Sequence, residues 1–147
     1  HRDYHSRNLM CDQGHLVLID FQDARMGPCQ YDLVSLLKDS YVKINDTLVE
    51  ELIDYYIFLK EKEEGQEVDR ERFRDIFDKM SIQRNLKAVG TFAYQSVKKN
   101  NNRYEDFIVS TLSYVQKTLM RRFKGTSLQK VLLKHIPGLD QEGTFDL

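Results

Sequence analysis

Apolar periodicity changes once in this chain of 147 residues, at Gly27-Pro28, and no other sequence feature limits the fold as much. Before the break, Asn8-Leu9-Met10-Cys11 and His15-Leu16-Val17-Leu18-Ile19 read as two short strands joined by turn chemistry at Asp12-Gln13-Gly14. After it, every apolar pattern has a helical period. Tyr31, Leu33, Leu36, Leu37 and Tyr41 mark one face of a helix from about Cys29 to Lys43. Asn45-Asp46-Thr47 starts another, with Thr47 and Glu50 spaced as a capping box and an apolar stripe at Leu48, Leu52, Tyr55, Tyr56 and Leu59. Lys60 to Glu67 reads as a solvated loop around Gly65. Asp69 caps a third helix through Phe73, Ile76, Phe77 and Met80. Its pattern falters at Gln83-Arg84-Asn85 and resumes at Leu86, Val89, Ala93 and Val97, which admits a bend or two successive helices. Lys98 to Arg103 reads as a loop. Ile108, Leu112, Val115, Leu119 and Phe123 make a further helix; Gly125-Thr126-Ser127 ends it and caps a last one through His135, before Pro137-Gly138.

A two-stranded hairpin is too small to stand alone, so it is expected to lie on the helices. Pattern alone therefore reads as one mainly α domain with a small β-hairpin at its leading edge. Hydrophobic residues are 41% of the chain, enough for a core. Lys+Arg is 22 and Asp+Glu 23, a formal net charge of −1, which weighs against a nucleic-acid partner. Apolar runs such as Leu16 to Ile19 fall far short of the roughly 20 residues of a spanning helix, so no membrane partner is expected. Cys11 and Cys29 fit neither a disulfide framework nor a metal pair, and read as plain buried thiols in a reducing, cytoplasmic setting.

The chemistry is concentrated ahead of Gly27. His1-Arg2-Asp3 is followed by Asn8, giving His-x-Asp-x-x-x-x-Asn, and Asp20 follows the second strand in Ile19-Asp20-Phe21. A hairpin brings its ends together, so Asn8 and Asp20 converge at its base. Asp and Asn oxygens are hard ligands suited to Mg²⁺, which keeps waters and is completed by substrate phosphates. A further carboxylate nearby, Asp3, can take the proton of an attacking hydroxyl. That is the minimal equipment for phosphoryl transfer. Each residue alone is weak evidence, because Asp at a strand end is commonly a turn or cap residue. The joint order of catalytic Asp, metal Asn and metal Asp is the kinase order.

His1-Arg2-Asp3-Tyr4-His5-Ser6-Arg7-Asn8 resembles the catalytic loop of the aminoglycoside phosphotransferase and choline kinase-like small-molecule kinases, His5 being typical of them. Ile19-Asp20-Phe21-Gln22-Asp23-Ala24 resembles their metal segment, with Gln22 where protein kinases carry Gly. Tyr31-Asp32-Leu33 after Gly27-Pro28 resembles their next motif, in which a helix-initial Asp braces the catalytic loop. Residues 1 to about 43, and more loosely Gln83-Arg84-Asn85-Leu86-Lys87, resemble the bacterial branch that phosphorylates cell-wall amino sugars in peptidoglycan recycling. The resemblance implies the carboxy-terminal lobe of a protein-kinase-like α+β fold over residues 1–147. It divides into a catalytic loop and metal hairpin (1–28), a helical subdomain (29–136) and a tail (137–147). It implies Asp3 as catalytic base, and Asn8 and Asp20 as holders of Mg²⁺ against the phosphates of ATP. His1, His5 and Asp32 are implied as supports.

Other readings compete. Arg7 suits an oxyanion, a phosphate or a sugar carboxylate, or a surface pair with Asp23. Tyr55 and Tyr94 read as core rather than sugar-pocket residues. Arg121-Arg122 and Lys98-Lys99 read as solvated faces. Glu50, Glu51, Asp54 and Asp106 would serve a cationic substrate such as an aminoglycoside or choline, and fit solvated faces as well. The seven glycines are scattered and form no phosphate-cradling loop. A kinase of this kind needs an amino-terminal lobe for that loop and its lysine, so the chain reads as a piece of a longer protein, inactive alone. A non-catalytic kinase-like binding module is the remaining reading, and retention of Asp3, Asn8 and Asp20 argues against it.

Overall fold

The computed structural model describes residues 1–140. Among the described residues, a hairpin of β1 (Leu9–Asp12) and β2 (His15–Leu18) is followed by five helices: α1 (Cys29–Leu37), α2 (Asp46–Glu64), α3 (Arg70–Lys99), α4 (Glu105–Arg122) and α5 (Ser127–His135). Short 3-10 turns occupy Ser6–Asn8 and Asn102–Tyr104. The mostly helical class with one antiparallel hairpin is as the sequence pattern indicates. The expected tail from residue 137 is described only to Asp140; residues 141–147 lie outside the described residues. The chain forms two compact units, one over His1–Met80 and one from Ser81 onward, with α3 running through the division.

The hairpin pairs Leu9 with Leu18 and Asp12 with His15. Its turn places Gln13 at φ 48° and Gly14 at φ 82°, the positive pair whose twist matches that of the strands. Asn8 sits in the 3-10 turn rather than in the strand, yet the Ile19 N–H still donates to its carbonyl at 3.1 Å. The hairpin does not lie on the helices. Every residue from Met10 to Pro28 is exposed, with Leu16 at 79%. Turn and ladder bonds hold it, since its apolar side chains fall on both faces and none from Met10 onward is buried.

In the first unit the core joins Val34 and Leu37 of α1, Val49, Ile53 and Ile57 of α2, and Phe73 and Phe77 of α3. The buried stripe of α2 is thus rotated from the expected one. Leu52 and Tyr56 are half-buried, while Leu48, Tyr55 and Leu59 face solvent. The cap explains the start: the Leu48 N–H donates to the Asn45 side chain at 2.7 Å, so Asn45 rather than Thr47 caps the helix. Lys60 to Glu64 continue α2 instead of forming a loop, because they are good helix formers and carry a Lys60–Glu64 pair one turn apart. Gly65, at φ 64°, then closes the helix in the left-handed conformation. Asp69 caps α3 through the Arg72 N–H at 2.9 Å.

α3 runs without a break through Gln83-Arg84-Asn85, so two successive helices are not formed there. Arg84 and Asn85 are buried, so polar residues occupy its inner face where a hydrophobic period was sought. Tyr94 and Val97 are exposed, as is Tyr55 on α2, so neither tyrosine is core. In the second unit Ile108, Leu112, Val115, Leu119 and Phe123 are all buried as the α4 pattern requires. Thr126 caps α5 through the Gln129 N–H at 3.3 Å. No helix among the described residues is long and apolar enough to cross a membrane.

Candidate functional site

The segment His1–Asn8 has almost no regular structure, and directional bonds fix its path instead. Its carbonyl at Asp3 accepts from the His5 N–H at 3.0 Å and from the Asn8 side-chain amide at 2.9 Å. The His1 ring binds on both sides. Nε2 lies 3.0 Å from the Ile19 carbonyl, which can only accept, so Nε2 carries the proton. Nδ1 then accepts from the Asp3 N–H at 3.3 Å. Both ring nitrogens are thereby committed to backbone, and His1 ties the segment to the end of β2 rather than offering a proton for chemistry.

α1 holds the same segment from below. Asp32, in its first turn, accepts from the Arg2 N–H at 2.8 Å. Arg2 stands at φ 77° there, a left-handed conformation unusual for a side chain of that size. Asp39, just past the end of α1, accepts from the Ser6 N–H at 2.8 Å and the Tyr41 N–H at 2.9 Å. The Tyr41 ring packs edge-on against His5, with centroids 5.5 Å apart, and carries the Arg7 guanidinium 3.7 Å over its face. Arg7 is thus a stacked cation at this corner. The Asp39 bond to Tyr41, two residues on, is an Asx turn, and it explains why α1 stops at Leu37 instead of continuing to Lys43.

Asp39 and Tyr41 are site residues that sequence reasoning missed. The available signal was Asp39-Ser40-Tyr41 directly after an apolar helix, a local turn signature that the helical period masked.

At the hairpin base, the Ile19-to-Asn8 bond brings Asn8 beside the start of Ile19-Asp20. Asp20 has φ 63°, and its Oδ1 accepts from the Gln22 amide at 2.7 Å. Asp3 and Asn8 are half-buried and Asp20 is exposed, so the polar end of the hairpin is open to a ligand. Two hard oxygen side chains at one end suit a cation that takes its other ligands from water and phosphate. Among the described residues there is no cluster of three or more His, Cys, Asp or Glu that would make an all-protein cage. A cavity of about 300 Å³ lies beside the loop, lined by His1, Arg2, Arg25 and Asp32 among others.

The remaining polar groups resolve differently. Cys11 is exposed and Cys29 half-buried, so neither is a plain core thiol. The Tyr56 hydroxyl is pushed up to about 12, by burial first and then by the Cys29 thiol beside it. Glu50 and Asp54 are engaged by Arg74, the latter at 2.8 Å. Burial works against the charge on Arg74, and these two carboxylates outweigh it.

Residues 1–73 match the phosphotransferase enzyme family. The chain is similar to proteins named N-acetylmuramate/N-acetylglucosamine kinase from three bacteria. The one from Neisseria meningitidis serogroup B is 35% identical over 147 residues, covering 99% of this chain and 44% of the relative. The one from Pseudomonas putida is 33% identical over 123 residues (83% of this chain, 36% of the relative). The one from Pseudomonas aeruginosa is 32% identical over 134 residues (90% and 39%). The chain spans less than half the length of each of these relatives. Loop, hairpin and brace all fall in the matched segment, and through residues 1–73 the chain belongs to the phosphotransferase enzyme family.

Proposed function

We propose that the chain is the carboxy-terminal, catalytic lobe of an ATP- and Mg²⁺-dependent kinase acting on a cell-wall amino sugar, N-acetylmuramate or N-acetylglucosamine, in cytoplasmic peptidoglycan recycling. The observation that carries the reading is the gathering of Asp3, Asn8 and Asp20 around an open hairpin base, on a loop fixed to α1 by Asp32. The names of the relatives support the substrate class.

In this reading a sugar hydroxyl attacks the γ-phosphorus of ATP. The bond from that phosphorus to the bridging oxygen breaks, ADP leaves, and the hydroxyl proton passes to the Asp3 carboxylate. The transition state is loose, so Asp3 acts as much by orienting the hydroxyl as by basicity. Asn8 and Asp20 would hold Mg²⁺. When bound, the ion neutralises charge on the nucleotide phosphates. Asn8 also donates to the Asp3 carbonyl, so the base and a metal ligand are set by one bond. His1 and Asp32 position the loop, and His5 packs it against Tyr41. The engagement of Glu50 and Asp54 with Arg74 weighs against an acidic pocket for a cationic aminoglycoside or choline.

The test is phosphate transfer from ATP-Mg²⁺ to both amino sugars by the full-length protein, with the 147-residue chain run alongside. Transfer by the longer protein alone is expected. In it, Asp20→Asn should lower turnover by more than about a hundred-fold at an unchanged far-ultraviolet circular dichroism spectrum, because a metal ligand supplies several kcal/mol of charge stabilisation. Full activity in that variant removes the metal role. No transfer to either sugar removes the substrate.

A further inference from the structure

We infer that Asp39 is a second positioning carboxylate for the catalytic loop, so that α1 and the turn that ends it grip the loop at two points with Asp3 between them. The inference rests on the kinase reading above and adds a residue to it. Asp32 holds the entry of the loop at the Arg2 N–H, and Asp39, seven residues further on, holds Ser6. Between these grips the Asp3 carbonyl is fixed by His5 and Asn8. A loop tethered at one end would pivot. A loop tethered at both ends presents the Asp3 carboxylate in one place.

The chemistry of the pair explains why the residue is aspartate. Asp39 is only 3% exposed, and a carboxylate is costly to bury unless its oxygens are met by donors. Each oxygen meets one backbone N–H, Oδ2 that of Ser6 and Oδ1 that of Tyr41. Asparagine has a single acceptor and would turn an N–H₂ group toward one of the two donors. An apolar residue would leave both amides without a partner. The same corner carries His5 and Arg7 on the Tyr41 ring. One Asx turn thereby sets the loop backbone and seats two of its side chains.

The test compares Asp39→Asn with Val34→Ala in the full-length protein. Val34 is fully buried in α1, the helix that Asp39 follows, and belongs to the core, so it controls for lost stability. Asp39→Asn is expected to lower kcat for sugar phosphorylation by about ten- to a hundred-fold at nearly unchanged KM for ATP, since a misplacement of about 1 Å can cost that much. Val34→Ala should lower Tm by at least as much and leave kcat within about two-fold. Hydrogen exchange at the Ser6 amide, read in the same proteins, should quicken about ten-fold in Asp39→Asn only. A loss of kcat no greater than that of Val34→Ala overturns the inference, and so does an unchanged Ser6 exchange rate. If the wild-type protein phosphorylates neither sugar, the substrate reading falls, while the Ser6 measurement still decides whether Asp39 holds the loop.

Discussion

Within the first unit, residues 1–8 and the α2–α3 pair are held by opposite means. The loop is fixed by carboxylates and a histidine that each take specific backbone amides or carbonyls. The helices are fixed by Val49, Ile53, Ile57, Phe73 and Phe77, which are buried with no directional demand. Hydrophobic burial supplies most of the free energy and little angular precision, whereas hydrogen bonds supply orientation at a small net gain. Polar contacts thus set the path of the loop, and apolar burial between the helices supplies the stability. The hairpin is a third case, since it is exposed and relies on its own turn and ladder.

Substitutions can break this division or sharpen it. The largest expected effect is on chemistry alone: Asp3→Asn should lower kcat of the full-length protein by about 10²- to 10⁴-fold, the range for a lost general base, with a Tm within about 2 °C of wild type. A parallel collapse of Tm would show that Asp3 belongs to the scaffold. Next, Ile53→Ala should cost about 2–5 kcal/mol in urea unfolding, as large-to-small changes in a closed core do. A cost under about 1 kcal/mol would mean the core is looser than its burial implies.

A smaller effect depends on pH. The Tyr56 hydroxyl ionises near 10.0 when exposed and near 12 in the folded chain. The folded state keeps that proton longer, so the stabilisation is complete below about pH 10 and is lost as pH rises toward 12. The urea midpoint should fall across that window, and Tyr56→Phe should flatten its share of the fall. Equal slopes in both proteins would remove the assignment. The smallest change is expected in the hairpin, where Leu16→Ser should alter stability by no more than about 0.5 kcal/mol because Leu16 is exposed. A larger loss, measured in this chain, would mean that something covers it.

How much was legible in sequence follows from the same division. The presence of the hairpin, the α4 stripe and the caps at Asp69 and Thr126 are local, so spacing and turn chemistry reveal them. The Asp-Asn-Asp order is also local, and its meeting at the hairpin base follows from one turn. Spacing could not reveal which way α2 faces, because Leu48, Leu52, Tyr55 and Leu59 satisfy the helical period as well as Val49, Ile53 and Ile57 do. Tertiary packing chose between them. Asp39 was hidden for a related reason: its bond to Ser6 spans 33 residues, and no short-range pattern records it. The brace at Asp32 spans a similar distance and was anticipated only through family resemblance.

Arg2 and Asp20 both hold positive φ angles, as does Asn100 beyond the end of α3. Glycine would relieve about 1 kcal/mol of backbone strain at any of the three. At Asn100 that exchange should be a harmless gain. At Arg2 and Asp20 it would free the backbone where it leads into Asp3, or delete a carboxylate outright. A directed search for heat-resistant variants of this protein will therefore meet two kinds of glycine that a melting curve alone does not separate, and only screening for turnover alongside heat tolerance will keep the hardened molecules from being inert ones.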